Sequence, residues 1–407
     1  MAGRPLHALL LPPAAGAGRL LDALAAALDG SGPAILPLDP GLPSARVTDL
    51  LHAFTPATVE TLDAEIRWRP DPAYPAVPGT AADLPDGTAV VVATSGSTGE
   101  PKGVQLSADA LLASARASLD RIGARPGTRW LCPLPTSHVA GLGVLVRSLV
   151  SGTAPVVVDR LDPTQRNLAA FGCEYVSLVP AQLRRMLDAG AGLSAFGAIL
   201  LGGAAIPSGV MTGARAAGAR VITTYGMSET CGGCVYNGVP LDDVKVRTDP
   251  AGRVQISGPV LFSGYRNRPD LTEQALGDGW FTTSDLGEVD EAGHLSVHGR
   301  TDEMINTGGY KVVPSEVAAI LETVPSVREA AVFGEPDSHW GERVTAVVVP
   351  ASFAHPPRLE ELRTAVRRKL PAYAAPRALL IVRAMPLLPS GKPDLPTLRG
   401  LGRDNAP

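Results

Sequence analysis

Residues Thr94-Ser-Gly-Ser-Thr-Gly-Glu-Pro-Lys-Gly103 form a dense run of hydroxyls and glycines closed by one lysine. Gly96 and Gly99 let the backbone approach a ligand and aim its N–H groups. Thr94, Ser95, Ser97 and Thr98 add hydroxyls, and Lys102 adds charge. That set suits phosphate. It is not a Walker-type loop, because no Gly-Lys-Ser/Thr ending is present. Lysine is scarce, at five positions (Lys102, Lys245, Lys311, Lys369, Lys392). A lysine inside such a run is therefore unlike a random surface residue. Further on, Thr224-Tyr-Gly-Met-Ser-Glu-Thr230 offers a flat ring, Tyr225, for a base, and a hard oxygen, Glu229, for Mg²⁺.

Two other features carry charge or reactive atoms. Arg147 falls inside an apolar stretch, between Val146 and Ser148. A buried guanidinium is costly unless it meets an anion, so its natural partner is a carboxylate on the substrate. The alternative is an arginine snorkelling to the surface. Cys231 and Cys234 form a Cys-x-x-Cys, but no partner pair or thioredoxin-like context accompanies it. Small pocket-lining residues are the favoured reading.

The phosphate-type run resembles the phosphate loop of the adenylate-forming enzymes: acyl-CoA synthetases, luciferases and peptide-synthetase adenylation domains. Four further segments match in the same chain order. The resemblance implies that Tyr225 stacks on adenine within a loop of Gly226, Met227, Ser228 and Thr230. Glu229, with Thr94, helps hold the metal. Gly202, Gly203 and Ala204 border the adenine. Asp285, in Thr283-Ser-Asp-Leu-Gly287, holds the ribose, as a carboxylate can accept two hydrogen bonds from a diol. Arg300 is a second ribose contact and Asp302 a hinge. Gly308 and Gly309 belong to a loop that enters the site for thioester formation.

Lys392, in Pro389-Ser-Gly-Lys-Pro393, matches the lysine of the adenylation step. The family often places a basic residue a few positions later, where this chain has Pro393 and Asp394. His138 matches a His or aromatic gate at the acyl pocket. The expected catalytic residues are thus Lys392, Glu229, Lys102 and His138, with His138 and Arg147 touching the acid. The implied activity uses ATP, Mg²⁺ and coenzyme A. A carboxylate attacks the α-phosphate, and the thiol then attacks the mixed anhydride. With Arg147 as a second grip, a dicarboxylic aromatic acid fits. Loading of a carrier protein and a regulator without catalysis are the competing readings, and the intact Lys102, Glu229, Asp285 and Lys392 speak against the latter.

These residues need positioning elements. A β-branched run at 88–94 reads as a buried strand, and Ser107 as the N-cap of a helix. Residues 20–28 read as a helix. Apolar runs at 155–159, 175–179, 198–201 and 220–224 alternate with helical stretches, which predicts an α/β body with mostly parallel sheets. From Gly252 strands at 253–257, 287–289 and 294–298 suggest a small antiparallel subdomain. After Arg300 comes an α+β unit, with helices near 315–322 and 359–370 and strands at 330–334, 344–349 and 378–382. The expected domains are 1–301, with a shortened N-terminus, and a mobile 302–407.

The chain has 407 residues, 45% hydrophobic and 19% charged, enough to bury a sizeable core. A net charge of −4 argues against nucleic acid as a partner. Pro12 and Pro13 break the apolar N-terminal stretch, and no long apolar run suggests membrane insertion. A cytoplasmic protein is the expectation. A homodimer is left open.

Overall fold

The computed structural model describes residues 3–69, 84–95, 100–165, 167–388 and 391–404. Gly96, Ser97, Thr98 and Gly99 lie outside the described residues, as does the side chain of Ser95. The chain divides into two compact units. The first is Met1–Gly203, Gly213–Val246 and Gln255–Thr282; the second is Ala204–Thr212, Arg247–Val254 and Thr283–Pro407.

The first unit holds two seven-stranded sheets. In one, Thr88–Ser95, Ala34–Leu38, Leu6–Leu10 and Thr58–Glu60 run parallel. Antiparallel strands extend it at both edges: Pro101–Ser107 then Gly264–Arg266 on one side, Glu65–Arg67 on the other. In the second sheet Val221–Met227, Ala198–Leu201, Tyr175–Leu178, Trp130–Cys132 and Val156–Val157 are parallel. Gly232–Tyr236 and Val239–Pro240 add an antiparallel edge. The parallel strands read as continuous apolar runs because both faces are covered. Val90, Val91, Val92, Val176 and Ile199 are buried accordingly.

Helix Ala108–Ile122 starts where Ser107 predicts. The Ser107 hydroxyl accepts from the Ala110 N–H at 3.1 Å, and Gly123, at φ 72°, closes the other end. Such a cap contributes about 1 kcal/mol. Helix Val139–Val150 buries Leu142, Val144, Leu145, Val146 and Arg147. Beside the first sheet, His7 Nε2 lies 3.4 Å from Glu60. Arg19 already grips both Glu60 oxygens, at 2.6 and 2.8 Å, so that carboxylate is committed to an ion pair.

The second unit contains an antiparallel pair, residues 285–289 of strand Trp280–Val289 with Leu295–Arg300, that sets Asp285 opposite Arg300. It also has a five-stranded sheet built on Gly341–Pro350 and Val327–Asp337. Helices Pro314–Leu321 and Leu359–Arg367 bury Val317, Leu321, Leu362 and Val366 with Val344, Ala346 and Val348. Alternation sends Val347 and Val349 to the opposite face, where Leu398 of helix Leu395–Asp404 packs. Among the described residues no helix is long and apolar enough to cross a membrane.

Candidate active site

In the first unit, Lys102 lies on strand Pro101–Ser107 rather than in the loop before it, paired with Thr94. The missing side chain of Gly103 makes room for Phe54: a Cβ there would lie 2.8 Å from the ring. The Thr94 hydroxyl donates to the Lys102 carbonyl at 3.4 Å, so its oxygen can still accept or ligate.

Tyr225 sits on the same strand as Gly226 and Met227, and a bulge between Tyr225 and Gly226 breaks the register with Gly232–Tyr236. Bulges re-aim side chains and are over-represented beside active sites. Ser228, Glu229 and Thr230 form one 3₁₀ turn. Thr230 is fully buried, and its hydroxyl lies 3.1 Å from the Met227 carbonyl and 2.7 Å from the Gly232 carbonyl. It fastens the turn that presents Glu229. Gly202 and Gly203 follow strand Ala198–Leu201 within this unit, and Ala204 begins a segment of the other.

Tyr265 joins these pieces. Its hydroxyl donates to Glu229 Oε1 at 2.8 Å, and Lys102 Nζ lies 5.3 Å from its ring centre. Burial and the neighbouring carboxylate push the phenol well above its usual value, so it remains a donor. Among the described residues no lysine or arginine pairs with Glu229. A hard carboxylate without a cationic partner, with one oxygen fixed by a neutral donor, fits a divalent cation such as Mg²⁺. Sequence reasoning missed Tyr265. It stands in an ordinary Ser-Gly-Tyr-Arg run, and only the register Tyr265↔Val104 places it on the Lys102 side of the sheet.

His138 occupies the N-cap position of helix Val139–Val150 without capping it through its side chain. Burial lowers its pKa, opposed by Asp39, so the ring is neutral around pH 7. Arg147 is 9% exposed. Its guanidinium stands 4.5 Å from the Trp130 ring and donates to the Ser177 hydroxyl at 3.1 Å. Its Nε has no hydrogen-bond partner, and no carboxylate pairs with it among the described residues. The snorkelling alternative therefore fails. Cys231 and Cys234 are buried, like Cys132 and Cys173. Burial pushes the Cys234 thiol up to about 12 and the Cys231 thiol higher, so both stay protonated and inert.

In the second unit Arg300 is shared. One nitrogen donates to Asp285 at 2.9 Å, and two others grip Asp302, each at 2.9 Å. Burial alone would lower its pKa, but the carboxylates win and push it up. For Asp302 burial acts upward, and the Arg300 bonds and charge prevail, holding it below the usual carboxylate range; Lys392 adds to the pull. Burial holds Glu303 above that range. Gly308 and Gly309, at φ 58° and 83°, form a two-residue hairpin between Ile305–Thr307 and Tyr310–Val312. Both positions demand left-handed backbone, as in a type I′ turn. Lys392 is exposed.

A pH dependence follows from the Arg300 clamp. A depressed folded pKa contributes stability that is present above about pH 4, the ordinary Asp value, and is lost as pH falls through the folded value. The protection of amides around 301–305 against exchange should therefore fall on acidification below pH 4. Asp302→Asn should remove the step. An identical profile in wild type and variant would show that the clamp does not hold this turn.

The AMP-binding enzyme profile matches residues 23–259, more than half of the chain. The chain belongs to the AMP-binding enzyme family. The family's C-terminal domain matches residues 316–392, ending on Lys392. As an AMP-binding enzyme, the chain is 41% identical over 401 residues to a probable 2-succinylbenzoate–CoA ligase of Mycobacterium tuberculosis, covering 96% of each. It is 32% identical over 334 residues to the 2-succinylbenzoate–CoA ligase of Enterococcus faecalis, covering 75% of this chain and 68% of that one. Among solved structures, the o-succinylbenzoate CoA synthetase of Bacillus subtilis, in complex with its acyl-adenylate intermediate, is similar at 25% identity with a TM-score of 0.81. That match covers 100% of this chain and 89% of the other. The α/β fold read from the sequence is that of this AMP-binding family.

Proposed function

We propose that the protein is an AMP-forming acid–thiol ligase that adenylates 2-succinylbenzoate and passes the acyl group to coenzyme A, a step of menaquinone biosynthesis. The observation that carries the adenylating part is the cluster on Tyr265, whose ring faces Lys102 and whose hydroxyl holds Glu229, a carboxylate with no cationic partner among the described residues. Lys102 supplies positive charge to phosphate oxygens, and Glu229 with Thr94 would hold Mg²⁺. Bound there, the ion would neutralise charge on the phosphates. The substrate carboxylate attacks the α-phosphorus in line, a carboxyl O–P bond forms, and pyrophosphate leaves. The thiol of coenzyme A then attacks the acyl carbon and AMP leaves. Asp285 and Arg300 serve the ribose, and Tyr225 with Gly202, Gly203 and Ala204 the adenine. Between the steps, rotation at Asp302 exchanges Lys392 for the Gly308–Gly309 hairpin. The acid is supported by the names of the relatives and by Arg147, a buried cation awaiting an anion.

An AMP-release assay with coenzyme A, run against 2-succinylbenzoate, benzoate and a medium-chain fatty acid, tests this reading. Turnover should be highest with the first. A preference for either monocarboxylate would assign another acid, and silence without added carrier protein would favour carrier loading. Arg147→Ala should lower kcat/KM for the dicarboxylate by about 10- to 100-fold, the cost of one charged hydrogen-bond partner. It should change that for benzoate far less. Equal losses for both acids would make Arg147 a packing residue of the Trp130 face.

A further inference from the structure

We infer that Tyr265 is the positioning residue of the metal–phosphate corner, setting the Glu229 carboxylate through its hydroxyl and the Lys102 ammonium through its ring. This rests on the adenylating role proposed above.

The geometry is over-determined. Strand Gly264–Arg266 pairs antiparallel with Pro101–Ser107, placing Tyr265 opposite Val104. Lys102 is two residues from Val104 and so shares its face of the strand. That brings Nζ to 5.3 Å from the ring centre, within cation–π range. The same segment is stitched to Glu229 twice. The Phe262 N–H donates to the Glu229 carbonyl at 2.9 Å, and the Tyr265 hydroxyl donates to its Oε1 at 2.8 Å. Phe262 packs edge-on against the Tyr265 ring with centres 4.9 Å apart, and the Tyr265 N–H donates to the Thr272 hydroxyl at 2.9 Å. The ring therefore cannot swing without moving its neighbours. Tyr265 acts through Glu229 and Lys102. With Oε1 held, Oε2 is the oxygen presented to a cation, and the ammonium is confined to the adjoining space. Strand edge, glutamate turn and phosphate strand, far apart in sequence, are locked to one another by one side chain.

The experiment compares Tyr265→Phe and Tyr265→Leu with wild type by two binding readouts. These are Mn²⁺ affinity in the presence of ATP, followed by electron paramagnetic resonance, and metal-free ATP affinity, followed by calorimetry. Neither needs the acid. The phenylalanine variant keeps the ring and its packing. It should lose about 10- to 100-fold in Mn²⁺ affinity, the worth of one hydrogen bond to a charged group, with metal-free ATP binding unchanged. The leucine variant should in addition weaken metal-free ATP binding about threefold, through Lys102. In a Glu229→Gln background the phenylalanine change should cost no further Mn²⁺ affinity. Wild-type Mn²⁺ affinity in Tyr265→Phe, or an undiminished loss in the Glu229→Gln background, overturns the role of Tyr265 while adenylation stands. A wild-type protein that binds no ATP overturns the adenylating reading and this inference together.

Discussion

Replacing Lys392 with alanine should abolish formation of the acyl-adenylate and leave thioester formation from preformed acyl-adenylate largely intact. Lys392 is exposed and sits in a tight turn. Leu387 bridges Pro393, and the Leu388 N–H donates to the Lys392 carbonyl at 2.8 Å. These contacts are all backbone, so the turn survives truncation of the side chain, and the stability cost should stay within about 0.5 kcal/mol. What is lost is charge. In-line phosphoryl chemistry has little covalent work for the protein to do, and removing one preorganised donor at the developing charge costs about 10²- to 10³-fold. Pyrophosphate exchange reads the first half-reaction, and synthetic acyl-adenylate with coenzyme A reads the second. Equal losses in both would mean that the lysine serves nucleotide binding in general, or the thioester step as well. Its field already reaches Asp302 and Glu303 within the second unit.

Gly226→Ala should be the most damaging single-methyl change around the Tyr225–Glu229 turn. Gly226 sits at the bulge of strand Val221–Met227, and a Cβ built there would run into the Gly232 carbonyl and come within 2.8 Å of Gly233 Cα. Those are backbone atoms, so no rotamer change relieves the clash. The two strands must part. They are the strands that hold the Ser228–Thr230 turn, so the shift falls on Glu229 and Tyr225 together. Overpacking of this kind costs about 1–3 kcal/mol. A fall of several degrees in Tm, with a loss of ATP–Mg²⁺ binding larger than the Tm alone explains, is the expected pair of readings. A variant with native Tm and native ATP affinity would mean the bulge relaxes freely.

The body of the fold is legible in the sequence where a run is apolar on both faces. The strands at 88–95, 175–178 and 198–201 lie where their apolar stretches predict, and Ser107 caps the helix it announces. Periodicity fails where one strand serves two environments. Only residues 287–289 of strand Trp280–Val289 are visible beforehand, because Thr282, Thr283, Ser284 and Asp285 break the apolar run that precedes them. Lys102 reads as loop because Pro101 and Gly103 flank it, yet both are tolerated on a strand next to the sheet edge. The hairpin at Gly308–Gly309 is written in its glycine pair, but the short strands around it are not. At the site, motif residues are readable one segment at a time, because hydroxyls, glycines and scarce lysines stand out locally. Their mutual contacts are not. Tyr265 meets Glu229 across 36 residues and Lys102 across 163, through strand pairing that no local pattern encodes. Arg147 is the intermediate case. Its cost of burial is visible in the sequence, while its cushion on Trp130 and its orphaned Nε are not.

All four thiols are tucked inside the first unit. The native molecule should therefore be nearly blank to maleimide dyes. One cysteine introduced on the surface of each unit would then carry a donor–acceptor fluorophore pair with little background. Such a ruler would let single-molecule spectroscopy test whether the distance between the labels changes during turnover, without first stripping the protein of its own sulfur.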